Sequence, residues 1–358
     1  MYLVRYGELF LKSERTKGLW RKALGRQIKR AFGKGPVFWG FGMCLDVPET
    51  RENTRKLQKI FGIHSFSPCL RASVSDLEEA VVDFVRKRKE GKRTFAIRVK
   101  GEGPGGELTR KLVGAIRERF PELEVRARKP DLGIHVEIRG DSAFIYSEIL
   151  KGAGGLPPGV EGKVVALLSP GVDSPVAAWL MMKRGCLVIP LHIDLEFSPH
   201  LPEKMERIVG MLREYQPDME LRTIKMGDFI RRLREFLRER RAESYTCILC
   251  RRRMYREAQK VASEEGARGI VTGEALGQAA SQTLANLQVI DECVSLPVYR
   301  PLIGLDKIEI EKLAQKIGTY KISASPPHIP CPFAPLHPET KAFLEKIRQL
   351  ERDFESLT

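Results

Sequence analysis

Five uncharged apolar residues, Val164-Val165-Ala166-Leu167-Leu168, run without a break into Ser169-Pro170-Gly171-Val172-Asp173-Ser174 and then into a helical pattern over Pro175–Arg184. A continuous apolar strand of this kind is buried on both faces, as the strands of a parallel sheet are. Further strands are expected at Cys186–Ile193, Leu221–Ile224 and Gly269–Thr272, with a helix over Lys204–Tyr215 and others between them. That alternation predicts a doubly wound parallel sheet whose ligands sit outside the carboxyl ends of its strands. A tight turn that leaves such a strand and opens a helix points backbone N–H groups at an anion and adds the helix dipole. Ser169 and Ser174 can add hydroxyl donors, and Asp173 suits a phosphate site if it holds Mg²⁺ or fixes the loop.

The front of the chain reads differently. A strand at Tyr2–Arg5, a basic amphipathic helix over Ser13–Phe32 (Leu19, Trp20, Leu24, Ile28 and Phe32 on its apolar side), a strand region at Pro36–Val47 and a short helix at Thr50–Ile60 make a small α+β unit. After Phe61–Pro68 come a helix around Asp76–Lys89, a strand at Thr94–Val99 and a flexible loop at Gly101–Gly106. A basic helix near Leu108–Arg119 and a strand at Gly133–Arg139 follow. Lys151-Gly152-Ala153-Gly154-Gly155-Leu156-Pro157-Pro158-Gly159 is the clearest linker. Three domains are therefore expected, at 1–60, 61–160 and 161–358.

Charge divides along the same line. Residues 1–160 hold 32 basic and 19 acidic side chains, net +13, whereas 161–358 hold 29 and 27, net +2. The lopsidedness favours a polyanion-binding front and a differently employed back. Arg86, Lys87, Arg88, Lys89, Lys92 and Arg93 form the densest basic run and are the candidate RNA contacts; Arg231, Arg232, Arg234, Arg238, Arg240 and Arg241 extend the track. No stretch approaches the roughly 18 apolar residues of a membrane span. The first residues lack a signal-peptide core, and seven scattered cysteines make no disulfide framework. The expectation is a cytoplasmic protein with no membrane partner.

Several motifs then converge on one family. The turn resembles the Ser-Gly-Gly-x-Asp-Ser loop of the ATP pyrophosphatases, with Pro170, which has no N–H, at the first glycine position. Together with Gly273-Glu274-Ala275-Leu276-Gly277-Gln278-Ala279-Ala280-Ser281-Gln282-Thr283, Arg300-Pro301-Leu302-Ile303-Gly304-Leu305-Asp306-Lys307 and Ile317-Gly318-Thr319-Tyr320, it resembles the tRNA 4-thiouridine synthetases, also called tRNA uridine 4-sulfurtransferases. Val4-Arg5-Tyr6-Gly7-Glu8-Leu9 is similar to that family's opening strand, and Pro130–Ile138 to its THUMP RNA-binding domain. The resemblance implies a multidomain α+β and α/β chain: a ferredoxin-like N-terminal domain, a THUMP domain and a doubly wound ATP-pyrophosphatase domain. It implies that ATP adenylates O4 of the uridine at position eight of tRNA and that sulfur then displaces AMP, leaving 4-thiouridine. A link to thiamine thiazole sulfur supply goes with it. By the same resemblance Leu167, Leu168, Ser169, Gly171, Ser174, His192, Ile193, Arg251, Gly273 and Gln282 meet the nucleotide. Asp173 arranges Mg²⁺ and phosphates, and Lys307 serves substrate activation.

Sulfur handling is left between two readings. Cys247 and Cys250, at x-x spacing, and Cys331 match an archaeal arrangement that holds three irons of a [4Fe-4S] cluster with one iron open to hydrosulfide. Cys331 equally matches the position that resolves a persulfide through a disulfide, and a Cys250–Cys331 pair stays open. Because the chain ends at Thr358 after an amphipathic helix, without a rhodanese-like domain, sulfide or a persulfide-carrying donor is the expected sulfur source. The partners implied are that donor and tRNA, with a homodimer left open. Two rival readings remain: a non-catalytic tRNA-binding protein whose loop Pro170 impairs, and a thiolase acting on another tRNA uridine.

Overall fold

The strand–turn–helix at the centre of the chain is present in the computed structural model of the protein, which describes residues 1–7, 12–39, 42–101, 105–326 and 330–356. The chain divides into two units, Met1–Pro157 and Pro158–Thr358.

The first unit contains two five-stranded sheets. In one, Tyr2–Tyr6 lies between Gly42–Leu45 and Ile63–Pro68, antiparallel to both, with Val37–Trp39 and Leu150–Lys151 at the edges. The helix Glu14–Phe32 starts where the Ser13 hydroxyl accepts the Thr16 N–H, and it buries Trp20, Ala23, Leu24 and Ile28 at three- and four-residue spacings. Leu19, expected on that apolar side, is 58% exposed. Its neighbour Trp20 begins the buried stripe, and a helix advances 100° per residue. The second sheet runs Leu70–Ser73, Ser142–Tyr146, Leu132–Arg139, Thr94–Lys100, Glu124–Val125. It packs on the helices Leu77–Arg86 and Gly105–Arg119 through Val81, Val85, Leu112, Ile116, Ile134 and Ile145.

Two expectations for this unit need correction. Gly105 and Gly106, assigned above to a loop, open the helix Gly105–Arg119, while residues 102–104 lie outside the described residues. The start of the supposed linker is tied down: Leu150–Lys151 pairs with Ile63–Pro68, and the N–H groups of Gly152 and Gly154 donate to His64 O (2.9 Å) and Ile63 O (2.8 Å). A Cβ at Gly152 would overlap the Ile63 carbonyl, so the glycine serves close backbone approach rather than flexibility. Glu8 and Leu9 of the opening motif lie outside the described residues.

The second unit is built on five parallel strands in the order Arg222–Lys225, Leu187–Asp194, Lys163–Leu168, Ile270–Val271, Val298–Tyr299. Counted along the chain, this is third, second, first, fourth, fifth. The winding therefore reverses beside Lys163–Leu168, and the crevice at such a reversal is where doubly wound sheets bind ligands. Val165, Leu191 and Ile193 pack against the helices Gly227–Glu239, Thr246–Glu265 and Leu344–Glu355. Val164, Ala166 and Leu168 alternate to the opposite face, against which the helix Asp173–Lys183 buries Val176, Ala177 and Trp179. Among the described residues no helix is long and apolar enough to cross a membrane.

Candidate nucleotide and sulfur site

A cavity of about 460 Å³ opens at the carboxyl ends of the first two strands of this sheet. Leu167, Leu168 and Ser169 line it from the first strand and its turn, His192 and Ile193 from the second, and Gly273 and Gln282 from beyond the fourth. Asp173, Ser174, Arg251, Cys247, Cys250 and Cys331 complete the shared wall. The fold thus gathers nearly every residue singled out above. Gly171 and Lys307 are not on the wall, and the Arg86–Arg93 run belongs to the first unit.

The turn is closed by its own serines. Ser174 Oγ accepts the Ser169 N–H (2.8 Å), donates to Ser169 O (3.2 Å) and lies 3.1 Å from Ser169 Oγ. Ser174 is therefore engaged in shaping the loop. Ser323 clamps the loop from outside, its hydroxyl donating to Gly171 O at 3.1 Å. The helix Asp173–Lys183 has no side-chain N-cap, so its first N–H groups are left for an anion. Gly273 presses against this same point: a Cβ there would stand 2.5 Å from Ser174 N, 2.7 Å from Ser174 Cα and 2.8 Å from Asp173 C.

Lys307 reaches the site through Asp173, with Nζ 2.6 Å from Oδ1. It is the first residue of the helix Lys307–Ile317, capped by Asp306 and Glu309. A cation at a helix N-terminus opposes the dipole, so helix stability does not explain the lysine. His192 Nδ1 lies 3.1 Å from Leu168 O, which makes that nitrogen the donor and ties the ends of the two strands together. Burial lowers the His192 pKa, favouring the neutral ring.

The second wall centres on Glu274, which directly follows Gly273 and is 2% exposed. Its carboxylate accepts from Arg300 Nε (2.6 Å), Tyr255 OH (2.9 Å), Thr272 Oγ1 (2.9 Å) and Arg251 Nη1. Burial alone would push this carboxyl up, but Arg251 and Arg300 outweigh it and hold the group below its ordinary value. Sequence reasoning missed Glu274, although it stands inside the quoted Gly273–Thr283 motif.

All seven cysteines are free thiols. Cys247 and Cys250 sit three apart on one side of the helix Thr246–Glu265, and Cys331 lines the same cavity. Ile329, two residues before it in sequence, lies outside the described residues. Burial pushes both helix thiols up, Cys250 to about 12 with help from the Cys331 and Cys247 sulfurs, while Arg251 pulls the other way. Three thiols on one wall fit a thiophilic cluster by donor chemistry, because a bound metal ionises its thiols. Among the described residues no three metal-ligating side chains stand close enough to enclose an ion.

A doubly wound sheet with a tight turn opening an uncapped helix at its switch point is the architecture of a nucleotide-binding domain, here with thiols on the same cavity. The family model described as thiamine biosynthesis protein (ThiI) matches residues 159–356, the THUMP domain model 71–148 and the ThiI ferredoxin-like domain model 1–67. A Methanothermobacter thermautotrophicus protein named "Probable tRNA sulfurtransferase" is 40% identical over 97% of this chain and 92% of its own length. A Thermococcus kodakarensis protein of the same name is 38% identical over 97% of this chain and 95% of its own. A solved 4-thiouridine synthetase–RNA complex with bound ATP is similar at a TM-score of 0.87 and 36% identity, covering 99% of this chain and 95% of that one. The chain belongs to the ThiI family.

Proposed function

We propose that this protein is an ATP-dependent tRNA sulfurtransferase that forms 4-thiouridine at position eight. The observation that carries the reading is one cavity lined by the Ser169–Ser174 turn and three thiols, with Lys307 paired to Asp173 of its wall. Relatives named as tRNA sulfurtransferases and a similar 4-thiouridine synthetase solved with RNA and ATP support it.

In the first step the uridine O4 attacks the α-phosphorus of ATP and pyrophosphate leaves. The open N–H groups of the Asp173–Lys183 helix receive phosphate oxygens, and Gly273 lets the strand end lie against them. Asp173 is the residue that would hold Mg²⁺, and its pairing keeps the Lys307 ammonium beside the charge that develops on phosphorus. Leu167, Leu168, His192, Ile193, Arg251 and Gln282 frame the nucleotide. In the second step sulfur attacks C4 and AMP departs with the former O4. Cys247, Cys250 and Cys331 would hold a [4Fe-4S] cluster by three irons, whose open iron would supply a place for hydrosulfide.

In the first unit, Arg86, Lys87, Lys92 and Arg93 are exposed, and we assign the Arg86–Arg93 run to tRNA phosphates. Three residues of the run have intramolecular partners as well: Arg86 pairs with Asp83, Lys89 with Glu122 at 2.7 Å, and Arg88 lies over the Phe84 ring at 4.0 Å. The rival reading of a loop disabled by Pro170 is not favoured, since the serines close the turn without an N–H at that residue.

The test is an anaerobic assay with tRNA, Mg-ATP and sulfide, read by the absorbance of the thiolated base. Wild type is expected to thiolate. Lys307→Met is expected to slow turnover about 100-fold or more, the scale on which one preorganised charge contributes. Its melting midpoint should barely move, because a half-exposed ion pair adds about 0–1 kcal/mol. Full activity of the variant would remove Lys307 from the mechanism, and no thiolation by wild type would contradict the reading.

A further inference from the structure

Arg251 and Arg300 both meet Glu274, yet they are held differently. Arg300 is consumed by Glu274, by both oxygens of Asp291 and by Tyr255, and its side chain is 11% exposed. Among the described residues Arg251 is gripped at a single nitrogen, Nη1, and its side chain stays 28% exposed on the cavity wall. A guanidinium carries five N–H donors in a rigid planar fork, so one bond at one corner anchors that end and leaves the other donors to serve a ligand. Glu274 is itself immobile, since Tyr255, Thr272 and Arg300 hold it from other directions.

We propose that Glu274 is a positioning residue that holds the Arg251 fork by one corner and presents its free donors to the phosphates of the bound nucleotide. This rests on the nucleotide reading of the cavity given above. A buried carboxylate among cations is weak evidence for stability, because well-packed apolar groups often serve as well. Its use here is to hold a long, flexible cation in one orientation. The fork stands where such an orientation matters. The turn lines the same cavity as the fork, and Cys247 and Cys250, one turn and one residue back on its own helix, lie close enough to feel its charge. Held there, Arg251 meets the phosphate of the adenylated base next to the arriving sulfur and stabilises AMP as it leaves. The carboxylate takes no part in bond making.

The experiment measures binding of ATP, AMP and adenosine to the full chain by calorimetry. In Glu274→Gln the acceptor shape remains but the charge that orients Arg251 is gone. ATP and AMP are expected to weaken about 10- to 100-fold while adenosine holds, as for loss of a charge-assisted hydrogen bond to phosphate. A purely structural role would weaken all three alike or none, and either result would overturn the proposal. Should Glu274→Gln not fold, Glu274→Asp keeps the charge and withdraws it by one methylene. The same phosphate-selective loss is then expected, and its absence overturns the proposal. Wild type that binds no ATP would instead defeat the underlying nucleotide reading, so the two failures are told apart.

Discussion

Replacing Gly273 by alanine is expected to lower ATP affinity and pyrophosphate release by at least about 100-fold. The added methyl would meet backbone on every near side: Ser174 N at 2.5 Å, Ser174 Cα at 2.7 Å and Asp173 C at 2.8 Å. None of these can swing away as the end of a side chain can. The strand end or the turn must shift, and the turn carries the N–H groups that receive phosphate. Misplacement by about 1 Å costs on the order of 100-fold in a preorganised site. The Ser169–Ser174 hydroxyl ring would be distorted as well, since Ser174 Oγ holds the Ser169 N–H at 2.8 Å. Single-turnover pyrophosphate release with Mg-ATP and tRNA reads the loss directly. Wild-type release by Gly273→Ala would mean that the turn and the strand end do not work as one surface.

Arg252→Met is expected to act on the fold and spare the chemistry. Arg252 is 2% exposed; it donates from Nε and Nη2 to Glu351 at 2.8 Å each, from Nη2 to Glu292 at 3.0 Å, and from Nη1 to Val289 O. These bonds fasten the helices Leu284–Asp291 and Leu344–Glu355 to Thr246–Glu265. Removing one partner of a buried ion pair costs about 3–5 kcal/mol. Glu351 keeps Arg256 and Glu292 keeps Arg348, so the lower end, about 3 kcal/mol, is expected. For a unit of this size that lowers the melting midpoint by about 6–12 °C. The effect depends on pH. Burial pushes the Glu351 carboxyl up, but Arg252 and Arg256 outweigh it and hold it below its ordinary value. A carboxyl held low contributes stability above its unfolded pKa, about 4.3, and loses that contribution as pH falls through the folded value. The gap between wild type and variant should therefore narrow in acid below about pH 4. A thermal melt at neutral pH with an unchanged midpoint would contradict this account.

The contrast between Arg251 and Arg252 shows where sequence reading stops. They are neighbours in a run of three arginines, yet one faces the cavity and the other is sealed into a helix junction. Nothing local separates them; their partners Glu274, Glu292 and Glu351 lie 23, 40 and 99 residues away. What was legible had a local cause. The strand Lys163–Leu168 shows itself because a parallel strand buried on both faces must be continuously apolar, and its turn because a helix opens directly after it. The short strands Ile63–Pro68 and Ser142–Tyr146 did not show, since the first alternates serines with apolar residues and each is held on one side by a strand distant in sequence, Tyr2–Tyr6 for the first and Leu70–Ser73 for the second. The docked start of the linker escaped for a related reason. Glycines read as flexible locally, whereas Gly152 is there because another strand lies against it.

The most direct measurement is a crystal structure of the protein grown with a non-hydrolysable ATP analogue and Mg²⁺. The phosphates should rest on the amino end of the Asp173–Lys183 helix with Gly273 alongside, and Lys307 and Arg251 should both be within hydrogen-bond reach of phosphate oxygens. A nucleotide bound elsewhere, with the Ser169–Ser174 turn vacant, would contradict the account at its centre.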